Sequence, residues 1–457
     1  MSDPTTETTA TTEAADATAD PTAAWRFETR QIHAGQRPDS ATGARALPIY
    51  QTTSYVFRDT EHAANLFALK EFGNIYTRIM NPTQDAVEQR IAALEGGVGA
   101  LLVASGQSAT TLGLLNIAEA GDHIVASAAL YGGTANLLKY TFAKLGVQVS
   151  FVEDQADLGA WRAAIRDTTK ALFGETIANP KADVLDIEGI AGVAHDAGVP
   201  LVVDNTIATP YLVRPLEHGA DVVLHSATKY LGGHGTSIAG AIVDGGSFDF
   251  AADPARFPNY NTPDESYHGL VYGRDLGVGG ALGANLAYIL KARVQLLRDL
   301  GPAISPFNAF LLSQGIETLS LRMERHLANT HRVVQFLSGH PQVQSVSWAS
   351  LPDHAGYSRA QKYTPLGAGA VVAFEIDGGE GAGQRFVEAL SLHSHVANIG
   401  DVRSLAIHPW STTHSQGGDA DRYAAGVTPG LVRLAVGLEH IDDILADLEQ
   451  GFAAAGT

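Results

Sequence analysis

Lys229 stands where an apolar run ends. Val222, Val223 and Leu224 read as a buried strand, and Ser226-Ala227-Thr228-Lys229 leads from it into the glycine-rich turn Gly232-Gly233-His234-Gly235. An amine held in such a place is desolvated, its pKa falls, and the free base becomes a nucleophile toward an aldehyde. Ser226 and Thr228 offer hydroxyls suited to a phosphate beside it. An aldehyde that carries a phosphate points to pyridoxal 5'-phosphate, attached through the Lys229 amine. The same spacing also fits a plain surface lysine at a strand end. A second apolar run, Val199 to Val203, ends in Asp204. A carboxylate there suits the protonated pyridine nitrogen of that cofactor, although Asp204 taken alone equally fits a helix cap or turn. Neighbouring strands of a parallel sheet open at their carboxyl ends onto one crevice, so an aspartate–lysine pair on two of them is far more specific than either residue.

The elements around these residues alternate. Apolar runs at Ala100–Ala104, His123–Ala126, Gln148–Val152, Ala171–Glu175 and Leu201–Val203 read as strands, with helical segments at Leu158–Arg166 and Ile187–Ala197 between them. Strand–helix alternation of this kind predicts a parallel sheet covered on both faces. Ser105-Gly106-Gln107 follows the first strand and opens a helix, where the glycine lets backbone N–H groups approach a phosphate. Asn81-Pro82 starts a helix that runs through Ala93. Residues 1–24 are Thr, Ala, Asp, Glu and Pro with almost nothing apolar, and a disordered tail is expected. Residues 25–75 form an arm, residues 76–298 a large domain and residues 299–457 a C-terminal domain. The last is predicted to hold a helix at Ser320–Leu337 and strands at Val343–Trp348, Ala370–Ile376 and Leu431–Val436. A Gly/Asp/Pro/Tyr-rich insert between Gly245 and Gly283 reads as a surface loop. Arg433 sits inside the last apolar strand; a buried arginine needs an anion, and either a substrate α-carboxylate or a structural ion pair would serve.

Composition narrows the function. The 457 residues are 45% hydrophobic and 17% charged, which suits a soluble globular enzyme. No apolar run approaches the roughly 20 residues that span a membrane, and the first two dozen residues lack a signal core. Cysteine is absent, which removes disulfides and cysteine metal sites. His408 and His414 stand six apart without nearby carboxylates, so no metal is expected. The formal charge of -19 disfavours nucleic acid and anionic membranes as partners. A cofactor phosphate must then be held by local donors against the overall field. A cytoplasmic location is the expectation.

Several stretches in one order resemble a known family, the Cys/Met-metabolism PLP-dependent enzymes. They are Ser105-Gly106-Gln107, Gly121-Asp122-His123-Ile124-Val125, Leu130-Tyr131-Gly132-Gly133-Thr134, Asp204-Asn205-Thr206, Ser226-Ala227-Thr228-Lys229-Tyr230 and Arg433-Leu434-Ala435-Val436-Gly437-Leu438-Glu439. The resemblance runs from about Gln31 to the C-terminus and is strongest to the O-acetylhomoserine sulfhydrylases. It implies an α/β protein of PLP-dependent transferase fold type I, aspartate-aminotransferase-like, with a mostly parallel sheet in the large domain and a smaller α/β C-terminal domain. It implies Lys229, Tyr131 and Asp204 as catalytic residues. Tyr131 would stack on the pyridine ring. Ser105, Gly106, Gln107, Asn179, Thr206, Ser226 and Thr228 would bind cofactor, and Tyr76 and Arg78 would reach the phosphate of an adjacent subunit. Asn179, Ser404 and Arg433 would bind substrate. The implied substrates are O-acetylhomoserine with sulfide or a thiol, and the implied assembly is a homo-oligomer, a dimer of dimers. Cystathionine γ-synthase or methionine γ-lyase activity, an aminotransferase and a non-catalytic PLP-binding regulator are the alternatives. One departure is Trp410, where relatives more often carry a small residue, and it bears on pocket size.

Overall fold

The computed structural model describes residues 24–179, 182–415, 418–424 and 426–456. Apart from Ala24, the tail expected at residues 1–24 lies outside them, as does Pro180. Strands β1 (Gly99–Val103), β2 (His123–Ser127), β3 (Gln148–Val152), β4 (Thr169–Glu175), β5 (Leu201–Asp204), β6 (Val222–His225) and β7 (Gly240–Asp244) form one sheet in the order β1-β7-β6-β5-β4-β2-β3. Strands β2 to β6 pair in parallel, and β7 alone runs antiparallel to its neighbours β1 and β6. The near-continuous apolar runs follow from this topology: β2, β4, β6 and β7 are buried along their whole length, as strands covered on both faces must be. Strand β7 is an addition to the set expected from the sequence.

A second sheet contains β8 (Val343–Ser347), β9 (Val371–Ile376), β10 (Ser394–His395), β11 (Leu405–Ile407) and β12 (Leu431–Ala435) in the order β10-β11-β12-β9-β8. Its pairs are antiparallel except β10–β11. Helices Leu319–Gly339 and Gly379–Ala389 pack against it, and helix Ile441–Ala455 packs on those two helices. The Asn81 side chain accepts the Thr83 N–H at 2.9 Å and caps helix Pro82–Glu95, with proline at the first turn as expected.

The insert from Gly245 to Gly283 departs from the expected surface loop. Phe250, Phe257, Tyr260 and Tyr272 are buried, and the Phe250 ring stacks on Tyr260 at 4.1 Å between centroids and lies parallel to Tyr288 at 6.0 Å. Aromatic area, hidden in a stretch dense in turn residues, joins the insert to the main hydrophobic core.

The loop after β10 crosses directly above Lys229. Gly400 there has φ +74°, and a Cβ on it would lie 2.6 Å from the Tyr230 nitrogen and 2.8 Å from the Lys229 carbonyl carbon. Gly96, which ends helix Pro82–Glu95, has φ +84° with nothing within 4 Å of a Cβ. Gly96→Ala should cost about 1 kcal/mol, the strain of the left-handed backbone alone. Gly400→Ala should cost that plus about 1–3 kcal/mol of overlap. Thermal melts of the two variants check this, and equal drops in Tm would show that the loop is not held so close.

Candidate active site

Strands β1, β4, β5 and β6 bring their last residues to one edge of the large sheet. The Thr206 hydroxyl accepts the Ser226 N–H at 2.8 Å and so ties the chain after β5 to the chain after β6. The Thr206 N–H donates to Asp204 Oδ1 at 2.9 Å. Burial pushes the Asp204 carboxyl pKa up, against the Thr206 hydrogen bonds and the nearby His225. Thr228 Oγ1 donates to Ala239 O at 3.1 Å and accepts the Ala239 N–H at 3.0 Å, which sets the turn into β7. Ser105 caps helix Gly106–Leu115 by accepting the Ser108 N–H at 3.1 Å. A Cβ on Gly106 would lie 2.5 Å from Ser226 Cβ, and one on Gly133 would lie 2.5 Å from the Tyr131 ring and 2.7 Å from Gln107 Nε2. Gln107 Oε1 is buried without a hydrogen-bond partner. Ser105, Gly106, Gln107, Tyr131 and Ser226 therefore converge at a helix N-terminus, where oriented N–H groups suit an anion, while the Thr228 hydroxyl is engaged by Ala239.

Lys229 lies four residues after β6, in the same turn as Ser226 and Thr228. Its amine donates to Asn398 Oδ1. Burial first, then the charge of Arg433, lowers its pKa below the ordinary lysine value. Arg433 lies on β12 and is 8% exposed. Its Nη1 donates to Asn179 Oδ1 at 3.2 Å and its Nη2 to Asn398 O at 3.1 Å, while Nε has no partner. Burial lowers its pKa to about 10. Among the described residues no carboxylate pairs with this guanidinium, so the structural ion pair allowed by the sequence is not what holds it. A buried fork of donors with neutral partners is a receptor for a carboxylate.

Some expected residues fall elsewhere. Ser404 is fully buried, but its hydroxyl donates to Glu439 Oε2 at 2.9 Å and accepts the Gly437 N–H at 2.9 Å. Its position in the loop is right and its side chain is committed to the domain interior; Asn398, six residues earlier, takes the place beside Lys229 and Arg433. Tyr76 and Arg78 contact each other, with the guanidinium 5.5 Å from the ring centroid, and Tyr76 bridges to Ser54 of the arm. Among the described residues neither makes a hydrogen bond or ion pair with the Lys229 cluster. Trp410 is buried with Ala373, Val427 and Leu431, its ring edge-on to Tyr423 at 5.4 Å and under Arg422 at 4.6 Å. Ala373 is the register partner of Arg433, so the indole fills space one strand away from the guanidinium. Both nitrogens of His408 are taken, by Ser411 Oγ at 2.8 Å and Pro429 O at 2.7 Å.

Two residues at this edge carry no sequence expectation. Asn398 is one. Glu175, the last residue of β4, is the other, and the signal that marked Asp204, a carboxylate closing an apolar strand, marks it equally.

The family model for Cys/Met metabolism PLP-dependent enzymes matches residues 28–453. The chain belongs to this family. It is 59% identical over 428 residues to the O-acetyl-L-homoserine sulfhydrylase of Leptospira meyeri, covering 93% of this chain and 96% of that protein. It is 54% identical to the O-acetyl-L-homoserine sulfhydrylase of Corynebacterium glutamicum, covering 94% and 97%. Among solved structures, it matches a putative O-acetylhomoserine (thiol)-lyase of Campylobacter jejuni with TM-score 0.89 and 37% identity, covering 94% of this chain and 100% of that one. That structure contains a pyridoxyl-lysine phosphate adduct. The family's cofactor fits the residues found here: a desolvated amine, a strand-end carboxylate, a glycine-cleared helix start and a buried, unpartnered Gln107 oxygen.

Asn398 and Ser404 separate by experiment. Asn398→Ala removes the amide that holds the Lys229 amine and should lower kcat/KM by roughly 10-fold or more. Ser404→Ala should lower Tm through its lost bonds to Glu439 and Gly437 while leaving KM within about two-fold, as a change remote from substrate does. Steady-state kinetics beside thermal melts check both; a raised KM in Ser404→Ala would return that hydroxyl to the substrate site.

Proposed function

We propose that the protein replaces the acetate of O-acetyl-L-homoserine with sulfide or a thiol, giving L-homocysteine or methionine in methionine biosynthesis. The observation that carries this is a buried arginine without a carboxylate partner beside a desolvated lysine, at a strand edge closed by Asp204, in a chain whose full-length relatives are sulfhydrylases. Bound pyridoxal 5'-phosphate would supply an electron sink for the pair left when a proton leaves carbon. Arg433 and Asn179 grip the substrate α-carboxylate. Lys229 Nζ takes the α-proton and serves as acid and base at the neighbouring carbons. Asp204 keeps the proton on the ring nitrogen, and Tyr131 covers a ring face. Thr206 holds Asp204 and Ser226 in place. Ser105, Gly106, Gln107, Ser226 and Thr228 hold the phosphate. Acetate leaves from the γ-carbon and the sulfur adds there.

Assembly follows from the arm. Residues 25–75 carry Ile49 and Val56 exposed, the latter 98%. Such apolar area favours burial against a second copy. Tyr76 and Arg78 lie on this side and would complete the phosphate site of the neighbouring subunit. The catalytic unit is a homodimer in which residues 76–298 and 299–457 of each chain enclose the site, with two dimers forming a tetramer. The location is cytoplasmic.

Two experiments test these claims. O-acetyl-, O-succinyl- and O-phospho-homoserine are each supplied with sulfide, cysteine or no acceptor. The expected result is homocysteine from the acetyl ester and sulfide; cystathionine as the main product from cysteine would move the protein to the synthases. Mixing Arg78→Ala with Lys229→Ala subunits should restore part of the activity that each lacks, because half the sites of a mixed dimer keep both groups. No rescue in verified mixed dimers would place Arg78 outside the interface.

A further inference from the structure

Glu175 and Asp204 are register partners on adjacent parallel strands, so their side chains leave the sheet on the same side. Glu175 is 6% exposed. Main-chain N–H groups meet its carboxyl: Tyr131 donates to Oε1 at 2.6 Å, and Asn179 donates as well. Burial, and then the charge of Asp204, push its pKa well above the ordinary carboxylate range. A carboxyl in that setting holds its proton, and its carbonyl oxygen still accepts from N–H donors.

The two residues it touches serve different parts of the site. Tyr131 is the ring-stacking residue of the reading above and opens the short helix Gly132–Asn136. Asn179 is a direct partner of Arg433. We propose that Glu175 is a positioning residue, a single buried carboxyl that fixes Tyr131 and Asn179 through their backbones and so sets the spacing between the ring platform and the carboxylate receptor. This deepens the proposed function and rests on it. The group does its work as an acceptor, so an amide of the same shape replaces it.

The test is a fluorescence titration of apo-protein with pyridoxal 5'-phosphate, joined to KM for the amino-acid substrate. Glu175→Ala should bind cofactor roughly 10- to 100-fold more weakly and raise KM, since two backbone donors lose their acceptor. Glu175→Gln should stay within about three-fold of wild type in both, because its carbonyl oxygen accepts the same bonds. The double variant Tyr131→Ala/Glu175→Ala should lose less cofactor affinity than the two single losses combined, the non-additivity of residues acting through one another. Glu175→Met, which keeps the volume, takes the place of alanine if that variant does not fold. Wild-type affinity in both the alanine and methionine variants, a glutamine variant as weak as alanine, or additive losses in the double variant would each overturn the proposal. Wild-type apo-protein that takes up no pyridoxal 5'-phosphate would instead overturn the parent reading.

Discussion

A half-buried lysine, Lys229, feels the charge of a buried arginine, Arg433, and the rest of the site is arranged around that cost. Among the described residues neither has a carboxylate partner; the asparagines Asn179 and Asn398 receive their donors. One of the two must yield. Arginine keeps its proton even when its pKa falls to about 10, whereas an amine shifts readily. The neighbouring charge and the partial burial therefore ease loss of the proton from Lys229, while Arg433 keeps its own. One arrangement of charge and burial thus prepares both halves of the chemistry.

The framework for this pair is the common edge of the large sheet. Parallel strands deliver Asp204, Ser226 and, through the turn, Lys229 to one place, while β12 of the small sheet supplies Arg433 from across it. The loop bearing Asn398 reaches both cations only because Gly400 lets its backbone lie against Lys229. The net charge of -19 plays no part at this range. Helix-start N–H groups and hydroxyls act within a few ångströms, and charges farther off are screened.

Much of this was legible in the sequence. The strands that lead to Lys229 and carry Asp204 and Arg433 are apolar runs of four or five residues, the pattern that burial on both faces imposes. The short strands β10 and β11 were not legible, nor was β7, which follows a glycine-rich turn and runs against its neighbours. Ser404 shows a different limit. A motif places a loop, but whether a hydroxyl faces substrate or Glu439 depends on a turn of the backbone. Asn398 lies six residues earlier, and an uncharged amide carries no signal of its role in the sequence. Glu175 closes β4 as Asp204 closes β5; the shared signal was visible, and only the register between the strands shows that the two belong together. The burial of the insert is masked in the sequence because its aromatics are spaced among turn residues.

The central claim is that Lys229, through its burial beside Arg433, is the amine that takes up the cofactor. Low pKa alone does not single it out. Lys291 is buried too, with its pKa lowered to about 8, but it is enclosed by Asn116 and the Tyr260 and Tyr272 rings. The direct measurement is borohydride reduction of the protein loaded with pyridoxal 5'-phosphate, followed by peptide mass spectrometry. The account predicts a single pyridoxyl adduct, on the peptide containing Lys229. An adduct on Lys291 or any other lysine, with Lys229 unmodified, would contradict it.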